Sequence, residues 1–228
     1  MGIGHAAVAL GASRAEPRIN VGLLIFAAFL ADFLLGVFAA FGLERAHVPP
    51  DFATRHYLTF TFPYSHGMVS LLLWGILLGA LLCWVDRRHR TRAFLVIAAL
   101  VFSHFILDAL VHSPELPLLG ENSPKVGLAL WNHMPLELTL ETLMAIAGVV
   151  MYWKLQGGSK VTRWAMALFT LLLTALTWTQ LFATQAPSPS QLVPTWIIAP
   201  LVFSVIPFAI DWKRTAAAQN AGAVEQKV

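Results

Sequence analysis

His104, Asp108 and His112 follow one another at intervals of four residues. On a helix that spacing stacks them along one face, with a drift of about 40° per step. His133, Glu137 and Glu141 repeat the interval further along, and Asp32 and His66 stand earlier in the chain. Imidazole and carboxylate are the ligands that suit Zn, Mn or Fe. All these residues lie in or at the ends of apolar stretches, where an ionisable group is costly and usually functional. Carboxylates gathered in low dielectric repel one another. A bound divalent metal is the simplest way to neutralise them, and protonation of some of them is the alternative.

The elements that must carry these side chains are transmembrane helices. Of the 228 residues, 57% are hydrophobic and only 12% charged. The charged share is about half that of a soluble domain, and the mean hydropathy is +0.69. Disordered, collagen-like, coiled-coil and disulfide scaffolds are excluded by this composition, the last also by the single Cys83. Apolar stretches of roughly 20 residues, each able to cross about 30 Å of hydrocarbon as a helix, fall near 20–42, 65–85, 93–112, 134–153, 163–184 and 192–212. Their length and continuity favour helices over barrel strands. The expected fold is all-α: a polytopic membrane helical bundle of about six transmembrane helices. The apolar Gly2–Ser13 adds a short N-terminal interfacial or half-spanning helix.

Charge sets the sidedness. Arg14, Arg18, Arg87, Arg88, Arg90, Arg92, Lys154, Lys160, Arg163, Lys213, Arg214 and Lys227 fall on one face, against Arg45, Arg55 and Lys125 on the other. Basic residues mark the cytoplasmic side, so both termini are expected in the cytoplasm. The net charge of +3 is explained by these loops without a nucleic-acid partner. In this topology His66, the outer ends of the third and fourth spans, and Asp32 all lie in the outer half of the membrane. Glu44 reads as a surface residue, Pro49–Pro63 as an outer loop, and Trp131, Trp153 and Trp212 as interfacial belts. A single membrane domain covers 1–214, with a metal-site core in 2–145 and accessory helices in 163–212. Residues 215–228 read as a flexible tail.

Four elements in order carry a resemblance: Gly4-His5, the first-span acid Asp32, Ser65-His66 after a short aromatic loop, and Ser103-His104-x-x-x-Asp108. Together they resemble the YdjM-type bacterial inner-membrane metal-dependent hydrolases. A subgroup of that family is similar in G-L-x-L-W-N (Gly127 to Asn132) followed by a Glu, here Glu141. The family is in turn distantly similar to zinc phospholipase C and the S1/P1 nucleases. The resemblance implies a metal, zinc foremost, held by Asp32, His66, His104 and Asp108, with His5, His112, His133, Glu137 and Glu141 as extras. It also implies residence in the bacterial inner membrane.

The expected activity is hydrolysis, in the outer half of the bilayer, of a phosphoester or lipid-like substrate. Glu141 or Glu137 is the general base or a further ligand, and His112 the leaving-group acid. Ser65 and Ser103 orient the histidines. A small transporter or ion conduit, and a non-catalytic protein with a structural metal, are the competing expectations.

Overall fold

The computed structural model describes residues 1–85, 90–155 and 158–225. Arg87, Arg88 and Lys227, counted above for sidedness, lie outside them. In chain order come α1 (Ile3–Ala12), α2 (Val21–Ala28) and α3 (Leu30–Ala40). The strands β1 (Arg45–His47) and β2 (Thr59–Thr61) flank the one-turn α4 (Phe52–Arg55). Then follow α5 (Met68–Val85), α6 (Arg90–Val111), the strands β3 (Leu116–Pro117) and β4 (Lys125–Val126), and a 3-10 turn (Leu130–His133). The chain ends in α7 (Met134–Trp153), α8 (Lys160–Trp178) and α9 (Pro189–Glu225). Each strand pair is a two-stranded antiparallel ribbon, and the protein is otherwise helical.

Among the described residues four segments are long and apolar enough to cross a membrane: Thr91–Val111, Leu130–Trp153, Lys160–Phe182 and Pro189–Ala221. α2 and α3 meet the same test only as a pair, bent by 53°, which makes five if the pair counts as one span. Met68–Trp84 is apolar but shorter. The expected six therefore become four or five by this measure. Two local causes account for the difference. Phe29, with φ −99° and ψ 10°, breaks the first stretch. Pro63–His66, expected to open the second span, forms a turn instead, because Glu44 Oε1 accepts the backbone amides of Tyr64 and Ser65, each at 2.8 Å.

Small residues set the closest approaches, as they do where helices pack without a hydrophobic driving force. A β-carbon on Gly148 of α7 would lie 2.7 Å from the Ala7 carbonyl of α1. One on Gly22 of α2 would strike the Ser204 carbonyl of α9. Through the first contact α1 enters the bundle and buries Ile3, His5, Ala6, Ala9 and Leu10. At ten residues it is about 15 Å long, half a membrane. It is a short apolar helix packed against α7.

At the end of the bundle remote from the site, Asp211 and Arg214 of α9 are buried together. Asp211 Oδ2 accepts the Val21 amide at 3.0 Å, and its Oδ1 accepts the Tyr152 hydroxyl at 2.6 Å. Arg214 donates to Asp211 and to the Pro17 carbonyl. Every oxygen of this buried pair has a partner, as a buried ion pair requires. It clamps the α1–α2 turn to α9. Residues after 214, read as a tail, continue as helix to Glu225. Buried Thr215 donates to Asp211 and Gln219 donates to the Arg18 carbonyl, which extends the helix beyond the apolar stretch.

Candidate metal centre

α6 is unbroken to Val111, and the amide of His112, one residue beyond it, still donates to the Asp108 carbonyl at 2.9 Å, so the interval of four places His104, Asp108 and His112 on one face as expected, and all three are buried. His66 reaches them from the turn before α5. Its Nε2 lies 3.2 Å from His104 Nε2 and 3.6 Å from Asp108 Oδ2. His104 Nε2 is 3.0 Å, and His112 Nε2 3.6 Å, from that same Asp108 oxygen. Asp32 of α3 approaches with Oδ1 3.8 Å from His66 Nε2 and Oδ2 4.0 Å from His104 Nε2. His5 of α1 stacks on His104 with ring centres 3.8 Å apart. Its Nε2 lies 3.2 Å from Asp108 Oδ1, the oxygen that also takes the Met1 amine at 2.7 Å.

Three of the four converging histidines are held from behind, whereas the buried Nδ1 of His5 has no hydrogen-bond partner. His104 Nδ1 donates to the Ala28 carbonyl at 2.7 Å, at the bend between α2 and α3. His112 Nδ1 donates to Glu115 Oε1 at 2.6 Å. The Ser65 hydroxyl donates to Glu44 Oε2 at 2.6 Å, which leaves its oxygen to accept from His66 Nδ1 at 2.7 Å. With Nδ1 the donor in each ring, Nε2 carries a lone pair. Lone pairs on His66, His104 and His112 then face a carboxylate oxygen and, in one case, each other. Backing the outer ring nitrogen with a carbonyl or carboxylate is the arrangement of metal-bound histidine. A tetrahedral zinc with ligands at about 2.05 Å has edges of about 3.3 Å between them. The triangle His66–His104–Asp108, with edges of 3.0, 3.2 and 3.6 Å, matches that spacing. The residues therefore fit a divalent cation.

Two candidates do different work. Glu141, buried, accepts the amides of Gly2 at 2.6 Å and Ile3 at 2.9 Å, and so caps α1. Glu137, one helical turn earlier, is also buried, and its Oε1 has no hydrogen-bond partner. His133 is exposed and stands outside both groups of side chains close enough to share an ion, His5–His104–Asp108 and Asp32–His66–His104. The interval to Glu137 misleads because His133 is not helical: its φ of −124° and ψ of 56° end a 3-10 turn before α7. Ser103 donates to the Leu100 carbonyl of its own helix and orients no histidine.

Three contributors lay outside the sequence expectation. Glu44 is buried rather than at the surface; burial pushes its carboxyl above the ordinary range, against hydrogen bonds from Ser65 and Tyr64 that lower it. Glu115 stands three residues after His112, a helical spacing that could have flagged it. Its Oε2 also accepts the Phe60 amide at 2.6 Å, which draws the β1–β2 hairpin over the site. Trp131 packs on His112, ring centres 4.1 Å apart, instead of joining an interfacial belt. Ala129, in the left-handed region at φ 57°, turns its amide onto the His112 carbonyl to seat that segment.

A cavity of about 270 Å³ opens onto these groups. Phe29, Phe60, Phe62, Trp131 and Trp196 wall it, and Asp32, His66, Asp108 and His112 reach into it. On the other side of the cluster the interior is apolar: Leu24, Ile25, Leu71, Ile97 and Val101 are buried. No protein-family model, curated protein or solved structure matches this chain.

Proposed function

We propose that the protein is a membrane-embedded, divalent-metal-dependent hydrolase, with zinc the metal and a lipid or lipid-linked ester or phosphoester the substrate. The reading places it in the bacterial inner membrane with six spans, the arginine-rich loops in the cytoplasm and the site toward the outer face. It takes the chain as kin to the YdjM-type hydrolases. The observation that carries it is the convergence of the His66, His104 and His112 imidazole lone pairs on Asp108, each of these three rings fixed by a partner on its far nitrogen.

His66, His104 and Asp108 would hold the ion, with His112 completing the set and Asp32 facing it from the cavity wall. When bound, a divalent metal supplies Lewis acidity, polarising an oxygen of the bond to be cleaved and acidifying water. Asp32 is 29% exposed at the cavity wall, against 2% for Asp108, so it is the carboxylate placed to take a proton from an attacking water. Glu141, engaged by two amides, positions α1 and with it His5. The apolar packing of Leu24, Ile25, Leu71, Ile97 and Val101 beneath the cluster supports a one-sided pocket over a conduit.

The test is metal content by mass spectrometry of the purified protein in detergent. Near-stoichiometric zinc that is lost in His104→Ala and Asp108→Asn is expected. Less than about a tenth of an equivalent, unchanged by either substitution, refutes the reading.

A further inference from the structure

We infer that the cavity selects its substrate by charge: it admits a scissile group bearing at most one negative charge, carried on an apolar body, and rejects doubly charged phosphate monoesters. The inference rests on the metal reading above and narrows the phosphoester or lipid-like class to one charge type.

The charges around the cavity set the argument. Its lining holds Asp32 and Asp108 and, among the described residues, no lysine or arginine. Glu115 stands behind His112, and Glu141 and Glu137 act on the Met1 amine beside Asp108. The cations nearby are already matched: that amine pairs with Asp108. A divalent ion and that amine together carry three positive charges, which Asp32, Asp108 and the nearby Glu141 balance with nothing left over. Of the basic side chains on the hairpins that border the site, Arg55 pairs with Asp51 and Lys125 with Glu121, while Arg45 is exposed and lies outside the cavity lining. Sites that handle dianionic phosphoryl groups clamp them with arginine, lysine or further metal. Here the walls are Phe29, Phe60, Phe62, Trp131 and Trp196, which present ring faces and edges and no full positive charge. In such low dielectric an uncompensated second negative charge beside Asp32 is strongly disfavoured. A neutral acyl ester or amide, or a phosphodiester, brings no such charge.

Size gives the second half. At about 270 Å³ the cavity lies just under the range of about 300–1,000 Å³ that encloses a drug-sized ligand. It takes the reacting end, while the rest of an amphiphile lies outside against apolar helix faces.

The experiment uses the full chain in detergent, loaded with Co2+, whose visible absorption reports ligands entering its coordination sphere. Three amphiphiles of one chain length are titrated: octanohydroxamic acid, the monoanion methyl octylphosphonate, and octyl phosphate, which is dianionic at about pH 8. The monoanion and the hydroxamate should bind roughly tenfold or more tightly than octyl phosphate, and Gln180→Lys at the cavity wall should shrink that gap to about threefold or less. Octyl phosphate binding as tightly as the other two overturns the inference and leaves the metal reading standing. So does a Co2+-loaded protein whose spectrum none of the three changes. Failure to load Co2+ at all overturns the metal reading, and this inference with it.

Discussion

Two serines each precede a histidine of the site, Ser65 before His66 and Ser103 before His104, and in sequence they are equivalent. The structure separates them, so replacing each by alanine is a sharp test. Ser65→Ala removes the hydroxyl that links His66 Nδ1, at 2.7 Å, to Glu44 Oε2, at 2.6 Å. His66 loses the partner that fixes its tautomer and ring plane, and one oxygen of a buried carboxylate loses its donor. Loss of such a supporting group costs about 10–100-fold in metal affinity, which is about 1.4–2.7 kcal/mol. The orphaned Glu44 oxygen adds about 1–3 kcal/mol of lost stability whether or not metal is present. Glu44 keeps the amides of Tyr64 and Ser65, so the turn itself survives. Ser103→Ala removes only a bond to Leu100 within α6 and should leave affinity within about twofold, since His104 is held by the Ala28 carbonyl. Zinc affinity is measured by competition with a chromogenic chelator, and thermal melting of the metal-free protein separates folding from binding. Equal losses in the two variants, or no loss in Ser65→Ala, would refute the assignment of His66 Nε2 as a ligand atom.

Three other outcomes follow from the same geometry. His112→Ala should lower metal affinity at least tenfold, whereas His133→Ala, at an exposed position, should not change it; the same chelator competition reads both. Gly148→Val places a side chain against the Ala7 carbonyl and should force α1 off α7 at a cost of about 1–3 kcal/mol; protease sensitivity of the first residues measures the displacement. Asp211→Ala leaves Arg214 buried without its carboxylate and should destabilise the fold by about 3–5 kcal/mol. Because it acts at the far end of the bundle, the protein that remains folded should bind zinc as before, a combination read by melting and metal content together.

The parts of the site that could be read from sequence are those on regular helix. His104, Asp108 and His112 share a face because nothing interrupts α6 and its last hydrogen bond, from the His112 amide to the Asp108 carbonyl, carries the turn one residue past Val111. Reading failed where the backbone leaves the helix. His133 to Glu137 has the same interval, yet the 3-10 turn before Pro135 rotates His133 outward. The bend at Phe29 carries no proline or glycine of its own, so neither the broken span nor the use of the Ala28 carbonyl had a signal. Glu44 follows an apolar stretch, where solvent is the usual surrounding; only the turn at Tyr64–Ser65, folded back onto it, makes it interior. The tail was misjudged because its alanine-rich composition says nothing of the contacts that Thr215 and Gln219 make.

The bend at Phe29 divides labour within the seat. α2 is moored at its far end, where Asn20 donates to the Phe208 carbonyl and Val21 to Asp211, and its last residue braces His104. Asp32 stands just beyond the bend, on α3. α3 has its own mooring, with Gly36 set against the Ile197 backbone of α9. The brace of one imidazole and the carboxylate that faces it therefore reach the seat on two separately anchored half-helices, and a substitution that loosens one of them need not displace the other.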